Sequence, residues 1–373
     1  MSLEEALREH VGEGKAPGVV GLVSRGDDVE VAAVGSVDVE GSAPMRRDTL
    51  FRVASLTKPI TAAAVMLLVD DGVVALGDPV SKWLPELADP VVVRTPQSPV
   101  DDVVPAARPI TVADVLESRA GWGFPEDFTF PAVGALAQDA YQGPPQPQRV
   151  PRLDEWLAGL AGVPLLFQPG EAWLYNTCSD LQGALVARAS GQPLPEFFAE
   201  RFFAPLGMTD TAFSARELGR FTSYYRPLED GGLELVERPD GQWSTPPAFP
   251  SGAGGLVSTA DDLLAFSRML LAGGGGILSP ESVRLMTTDH TTAAQRAAST
   301  LFLEGQGWGY GGSVDIEAIE PWNVPGRYGW IGGTGTASYF TPSTGTATIL
   351  LSQLELAGPT PPEPIRALWR YAA

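Results

Sequence analysis

An α+β fold, an antiparallel sheet flanked by helices with a mostly helical second region, is what the 373-residue sequence predicts. Three observations point to it. β-Branched runs gather at both ends of the chain, helical periodicity between Pro-rich and Gly-rich loops fills the middle, and the length suggests two structural units at roughly 150 residues each. Residues 1–83 and 251–373 together then form a sheet domain, and 84–250 a mostly helical insertion.

The first fifty residues read as a helix followed by strands. GVVGLVSRGDDVEVAAVGSVDV holds two β-branched runs around Gly26-Asp27-Asp28, the chemistry of a hairpin. A third apolar run, Thr49 to Val53, leads into SLTKPITAAAVMLLVDDG, a helical pattern apolar nearly all round and therefore buried, which Gly72 can end. From 84 to about 250, short helical patterns such as ITVADVLESRA and DLQGALVARASG sit between loops, and QGPPQPQRVP over 142–151 is linker-like. Past 250, Ser258 and Asp261 predict a capping box before ADDLLAFSRMLLAG, and SPESVRLM opens another helix. GQGWGYGGSVDI, GRYGWIGGTGTASYFTP and GTATILLSQL then predict a meander, and PIRALWRYAA a closing helix.

Composition bounds the function. With 45 acidic against 25 basic residues the formal charge is −20, which repels nucleic acid and anionic membrane surfaces and leaves small molecules or neutral surfaces as partners. Cys178 is the single cysteine, so no intrachain disulfide forms. With only His10 and His290 as imidazoles, a zinc site of the usual ligands is not expected, although carboxylates still allow a hard cation; no cofactor is implied. The start shows no signal-peptide pattern and no segment has the length of a membrane span, so a cytoplasmic protein is expected. Oligomeric state is not legible.

No Gly-x-Ser-x-Gly elbow, Walker A loop or complete Gly-x-Gly-x-x-Gly occurs. What does occur is Ser55-Leu56-Thr57-Lys58, around one of only three lysines. Pro59 is tolerated only in a first helical turn, so the helix begins near Ser55, and a spacing of three puts Lys58 on the same face within hydrogen-bonding reach. An amine held in apolar surroundings gives up its proton more readily and can accept one from serine. The same residues also fit an ordinary N-cap serine with an exposed lysine. Tyr175, in FQPGEAWLYNTCSDLQGAL, falls just before a helix, where a catalytic or a packing tyrosine is equally at home. Gly332, Gly333 and Gly335, in Trp330-Ile331-Gly332-Gly333-Thr334-Gly335, weaken a strand unless a ligand or another backbone comes close, or a bulge forms there.

Together these segments resemble the serine β-lactamase and penicillin-binding-protein superfamily, in its class C β-lactamase-like branch with the family VIII carboxylesterases. The likeness runs through FRVASLTKPITAAAVMLLVDDGVVALGDPVSKWLPEL, ITVADVLESRAGW, FQPGEAWLYNT through SGQPLPEFFAERFFAPLGMTDTAF, and the Gly-rich strand, nearly the whole chain. The resemblance implies a β-lactamase-like fold, an acyl-enzyme on Ser55, Lys58 as its activating partner, Tyr175 as second acid/base, and the N–H groups of Ser55 and Gly333 as oxyanion hole. Which of Lys58 and Tyr175 is the base stays open.

Two departures bear on the substrate. Where the penicillin-recognising enzymes carry Lys-Thr-Gly on the strand, this chain has Trp330-Ile331-Gly332, and their Tyr-x-Asn becomes Tyr175-Asn176-Thr177. Both disfavour β-lactams and D-Ala-D-Ala peptides and favour a small-molecule carboxylic ester, with an amide substrate, as for a β-lactamase or a D-Ala-D-Ala peptidase or D-aminopeptidase-like amidohydrolase, as the alternative. Trp122 and Trp330 are expected as aromatic walls, Asn176, Thr177 and Gly332 as further substrate contacts, and Arg327 as a nearby cation. A binding or sensor protein that lacks turnover is the alternative of a different class.

Overall fold

A computed structural model describes residues 2–373. The chain enters through a short helix, α1 (Leu3–Arg8), whose Ser2 cap and Glu5 make the reciprocal bonds of a capping box. The expected hairpin follows as β1 (Gly18–Arg25) and β2 (Asp28–Gly35). The C-terminal third supplies β3 (Gly307–Trp308), β4 (Ser313–Val314), β5 (Tyr328–Gly332), β6 (Thr336–Thr341) and β7 (Thr346–Ser352). These seven form one antiparallel sheet in the order β2-β1-β7-β6-β5-β4-β3, so the first strand pairs with the last, Leu22 opposite Ile349.

Strand alternation buries both faces. Val19 and Val23 point into a layer with Leu3, Leu7, Ile365 and Leu368, the last two on the closing helix Glu363–Ala372. Val20 and Leu22 point the other way, into the main core. The same core holds helix α2 (Thr57–Asp70), packed on the helices 177–190 and 280–286, in which every residue from Thr57 to Leu68 is buried, as its all-round apolar pattern requires. Gly72, at φ +71°, turns the chain away from it. The same core takes in Leu181 and Leu185 of helix α3 (Thr177–Ser190) and Trp156 of the 84–250 region.

Three local features differ from the sequence expectation. The 84–250 stretch is helical but also carries two small hairpins, Val91–Val93 with Val103–Pro105 and Tyr224–Pro227 with Leu233–Glu237, strands too short to register as periodic runs. Phe51–Arg52 pairs with Val257–Ser258 outside the main sheet. Helix α4 (Ala260–Leu271) is capped by Thr259, whose hydroxyl accepts from the Asp262 N–H; Ser258 sits in that strand pair with its hydroxyl 2.8 Å from Thr211 Oγ1. Among the described residues no helix is long and apolar enough to cross a membrane.

Candidate active site

Ser55 occupies a single 3₁₀ turn, Ala54–Leu56, that runs directly into α2. The approach is strained and pinned. Ala54 has φ +44°, a conformation an alanine holds only where its surroundings over-determine it. Those surroundings are Thr57 Oγ1 donating to the Ala54 carbonyl at 2.7 Å, Thr334 Oγ1 to the Arg52 carbonyl at 2.6 Å and Thr336 Oγ1 to the Val53 carbonyl at 3.1 Å. Gly332, ending β5, lies so close to Val53 that an added Cβ would overlap its carbonyl oxygen. The close approach inferred for the Gly-rich strand is thus one of backbone to backbone.

Lys58, the second residue of α2, is 1% exposed. Its Nζ lies 2.9 Å from Ser55 Oγ, 2.9 Å from Asn176 Oδ1 and 2.6 Å from the Ala253 carbonyl. The last two are acceptors only, so both take N–H bonds from the amine, and the direction left over points at Ser55 Oγ. Tyr175 reaches the same serine oxygen from another side, its hydroxyl 2.9 Å from Ser55 Oγ, and accepts a hydrogen bond from Trp330 Nε1 at 2.9 Å. A two-bond backbone bridge to Phe124 and a stacked contact with Phe302, 4.7 Å between ring centres, fix the tyrosine. The indole N–H therefore lies where the resemblance places a lysine, but it is spent on Tyr175.

Asn176 is the second strained residue, at φ +85° and ψ −64°. Its Nδ2 donates to Gln142 Oε1 at 2.9 Å, and Gln142 Nε2 donates to Asp180 Oδ2 at 3.0 Å. The other oxygen of Asp180 accepts from Ser251 Oγ at 2.6 Å and from the Ala253 N–H at 3.0 Å. Sequence reading missed Gln142, Asp180, Ser251 and Ala253. Gln142 falls in the stretch taken as a linker, and the only available signal was a carboxylate in the first turn of an otherwise buried helix.

Ser55, Tyr175, Asn176, Trp330 and Gly333 open onto one cleft of about 500 Å³, a size that suits a small-molecule ligand. Its walls are mostly apolar, including Phe124, Phe128, Phe249, Phe302 and Ile331, and no Lys, Arg or His is among them, while Asp180 and Glu355 are. Burial and the adjacent Glu355 push the Tyr224 hydroxyl well above the usual phenol value, so it faces the cleft uncharged. The N–H groups of Ser55 and Gly333 donate to no backbone acceptor among the described residues.

Three expected contacts fall elsewhere. Trp122 is buried in the main core with its indole N–H on the Val163 carbonyl at 2.8 Å, so it walls no cleft. Thr177 is fully buried and donates to Gln142 Oε1 at 3.1 Å, and Gly332 packs on Val53 without lining the cavity. Arg327 is likewise unable to serve an anionic substrate. It is buried against Asp315 and lies over the rings of Tyr339 and Trp369. Burial pushes the Cys178 thiol up to about 12, which removes it as a rival nucleophile at neutral pH.

Residues 3–372 match the model of the family described as Beta-lactamase. The chain belongs to the Beta-lactamase family. Among its relatives are an uncharacterized Mycobacterium tuberculosis protein, 39% identical over 367 residues covering 94% of this chain and 89% of the relative, and Esterase EstB of Burkholderia gladioli, 32% identical over 381 residues covering 96% and 90%. Among solved structures, EstCE1, a hydrolase with promiscuous acyltransferase activity, superposes with a TM-score of 0.83 at 25% identity, covering 99% of this chain and 97% of that one. The α+β, β-lactamase-like architecture expected from the sequence is therefore the one found, and this family member is a serine hydrolase.

Proposed function

We propose that this Beta-lactamase family member hydrolyses uncharged carboxylic esters through an acyl-enzyme on Ser55. The observation that carries the reading is the pair of 2.9 Å contacts from Ser55 Oγ to Lys58 Nζ and Tyr175 Oη at the floor of an apolar cleft without a basic wall residue. The esterase and hydrolase relatives point the same way.

The hydrogen-bond directions support one assignment of roles. Trp330 N–H donates to Tyr175 and Tyr175 O–H donates to Ser55; the scheme takes Lys58 in its uncharged form, with its lone pair receiving the Ser55 O–H. In acylation Lys58 takes the serine proton as Oγ attacks the ester carbonyl, and Tyr175 protonates the departing alcohol oxygen. The resulting phenolate faces the Trp330 N–H, with the Lys58 ammonium 4.8 Å from its ring centre. In deacylation Tyr175 recovers its proton from water, the hydroxide attacks the acyl carbon, and Ser55 leaves with the proton held on Lys58, which restores the starting state. The uncommitted N–H groups of Ser55 and Gly333 serve as donors to the oxyanion.

Tyr175→Phe is expected to lower kcat by at least ~10²-fold with little change in KM, the signature of a lost proton donor. A rise in KM alone, in steady-state assays on both proteins, would make the tyrosine a cleft wall.

Specificity tests the reading as a whole. A carboxylate-bearing substrate finds no cation in the cleft and forgoes a charge-assisted hydrogen bond of roughly 1.5–3 kcal/mol, about one to two decades in kcat/KM. p-Nitrophenyl butyrate is accordingly expected to exceed nitrocefin and a D-Ala-D-Ala peptide in kcat/KM on one preparation. Preference for either of the latter would give first place to the β-lactamase or peptidase reading.

A further inference from the structure

Lys58 is held by two carbonyl groups besides Ser55, and both trace back to one buried carboxylate. Asp180 is 5% exposed and Gln142 6% exposed. Through one oxygen Asp180 holds Gln142, which holds Asn176, which presents Oδ1 to Lys58; through the other it holds the Ala253 N–H, whose residue presents its carbonyl to Lys58. A carboxylate only accepts, and this sets the direction of every link. Gln142 must turn its NH₂ to Asp180, so its oxygen faces Asn176. Asn176 must then turn its NH₂ to Gln142, so its oxygen faces Lys58. Neither amide is free to flip, and the left-handed backbone of Asn176 is held in place by the same bonds.

We infer that Asp180 is a positioning residue for the ester-cleaving reaction, and that Gln142 transmits its polarity to Lys58. The inference rests on the proposed role of Lys58. With carbonyl oxygens on two sides, an uncharged Lys58 has its lone pair left for the Ser55 proton and for nothing else. Asp180 borders the cleft but bonds to none of the reacting atoms in this scheme; its influence is the orientation of the base.

Asp180→Asn tests this because it changes charge and polarity with little change of shape. The new amide has one accepting end. If that end keeps Ser251 and Ala253, the NH₂ end meets the NH₂ of Gln142, and relief comes from flipping Gln142 and then Asn176, which aims an N–H at the lone pair of Lys58. If the accepting end keeps Gln142 instead, its NH₂ meets the Ala253 N–H and displaces the other carbonyl partner. Either way the base is misdirected. The expected result is a fall in kcat of roughly 10- to 100-fold, the range common for partners that orient a reacting group, with KM for p-nitrophenyl butyrate changed less than about threefold.

The decisive arm is Asp180→Asn combined with Gln142→Glu. It moves the carboxylate one link along: the amide at 180 donates to it, it accepts from Asn176, and the Asn176 oxygen again faces Lys58. The double variant is expected to recover most of the lost kcat, whereas Gln142→Glu alone, with two carboxylates side by side, is impaired. Gln142→Leu, which cuts the relay while leaving the Asp180 bonds to Ser251 and Ala253, is expected to lower kcat as well and serves if Asp180→Asn fails to fold. A kcat for Asp180→Asn within twofold of wild type, or a double variant no better than its poorer parent, would overturn the inference. Lys58→Ala assayed alongside separates the two ideas. Retained activity in that variant removes the Lys58 role itself, while an inactive Lys58→Ala beside an unimpaired Asp180→Asn removes the relay alone.

Discussion

Ser55→Ala is expected to lose ester turnover by about 10⁶-fold, the scale on which serine hydrolases respond to loss of the nucleophile, and to fold as the wild type does. The second half of that expectation comes from the structure. A capping serine would cost about 1 kcal/mol on truncation, but the 3₁₀ turn of Ser55 shows no side-chain cap and its hydroxyl contacts only Lys58 and Tyr175. Removing it deletes one oxygen from the floor of a cleft and leaves no backbone donor orphaned. Burst kinetics with p-nitrophenyl butyrate, together with the thermal midpoint, check both halves. Wild-type-like turnover would remove Ser55 from the chemistry, and a large fall in midpoint would return it to the role of a helix cap.

The second large effect concerns Lys58. Lys58→Arg is expected to be nearly as damaging as Lys58→Ala, each lowering kcat by about 10⁴-fold. A guanidinium keeps its proton at any working pH, so it supplies charge without a lone pair. It is also larger than the ammonium in a site that is 1% exposed and bounded by Asn176 and the Ala253 carbonyl. The alanine variant carries a further burden. It deprives two inward-facing oxygens of their partner, at roughly 1–3 kcal/mol for each buried group left unsatisfied, so its midpoint should fall further than that of Ser55→Ala. Substantial activity in the arginine variant would mean that Lys58 acts through its positive charge alone.

The frame of the fold was legible because burial writes periodicity into sequence. The β1–β2 hairpin, the all-round apolar α2 and the C-terminal meander each repeat a pattern over enough residues to be recognised. The short hairpins at 91–105 and 224–237 lack that length and were invisible, and the choice between Ser258 and its neighbour Thr259 as cap depends on a backbone turn that one residue's shift reverses. At the site, Ser55 and Lys58 stood out because proline placement and motif spacing constrain them locally, and Tyr175 took its proposed role from the family resemblance. Trp122 was misplaced because an aromatic after a glycine carries no mark of whether it faces a cleft or the core. Gln142, Asp180 and Ala253 stand 38 to 111 residues from one another and meet only through tertiary packing, so no local pattern announces them.

The most direct test of the account is the stoichiometry and position of a covalent adduct. Wild-type protein treated with a fluorophosphonate, then analysed by intact mass and peptide mapping, is predicted to gain one phosphonyl group, on Ser55, in step with loss of ester hydrolysis, and Ser55→Ala is predicted to gain none. A label on another residue that tracks the loss of activity, or full hydrolysis by protein whose Ser55 is already labelled, would contradict it.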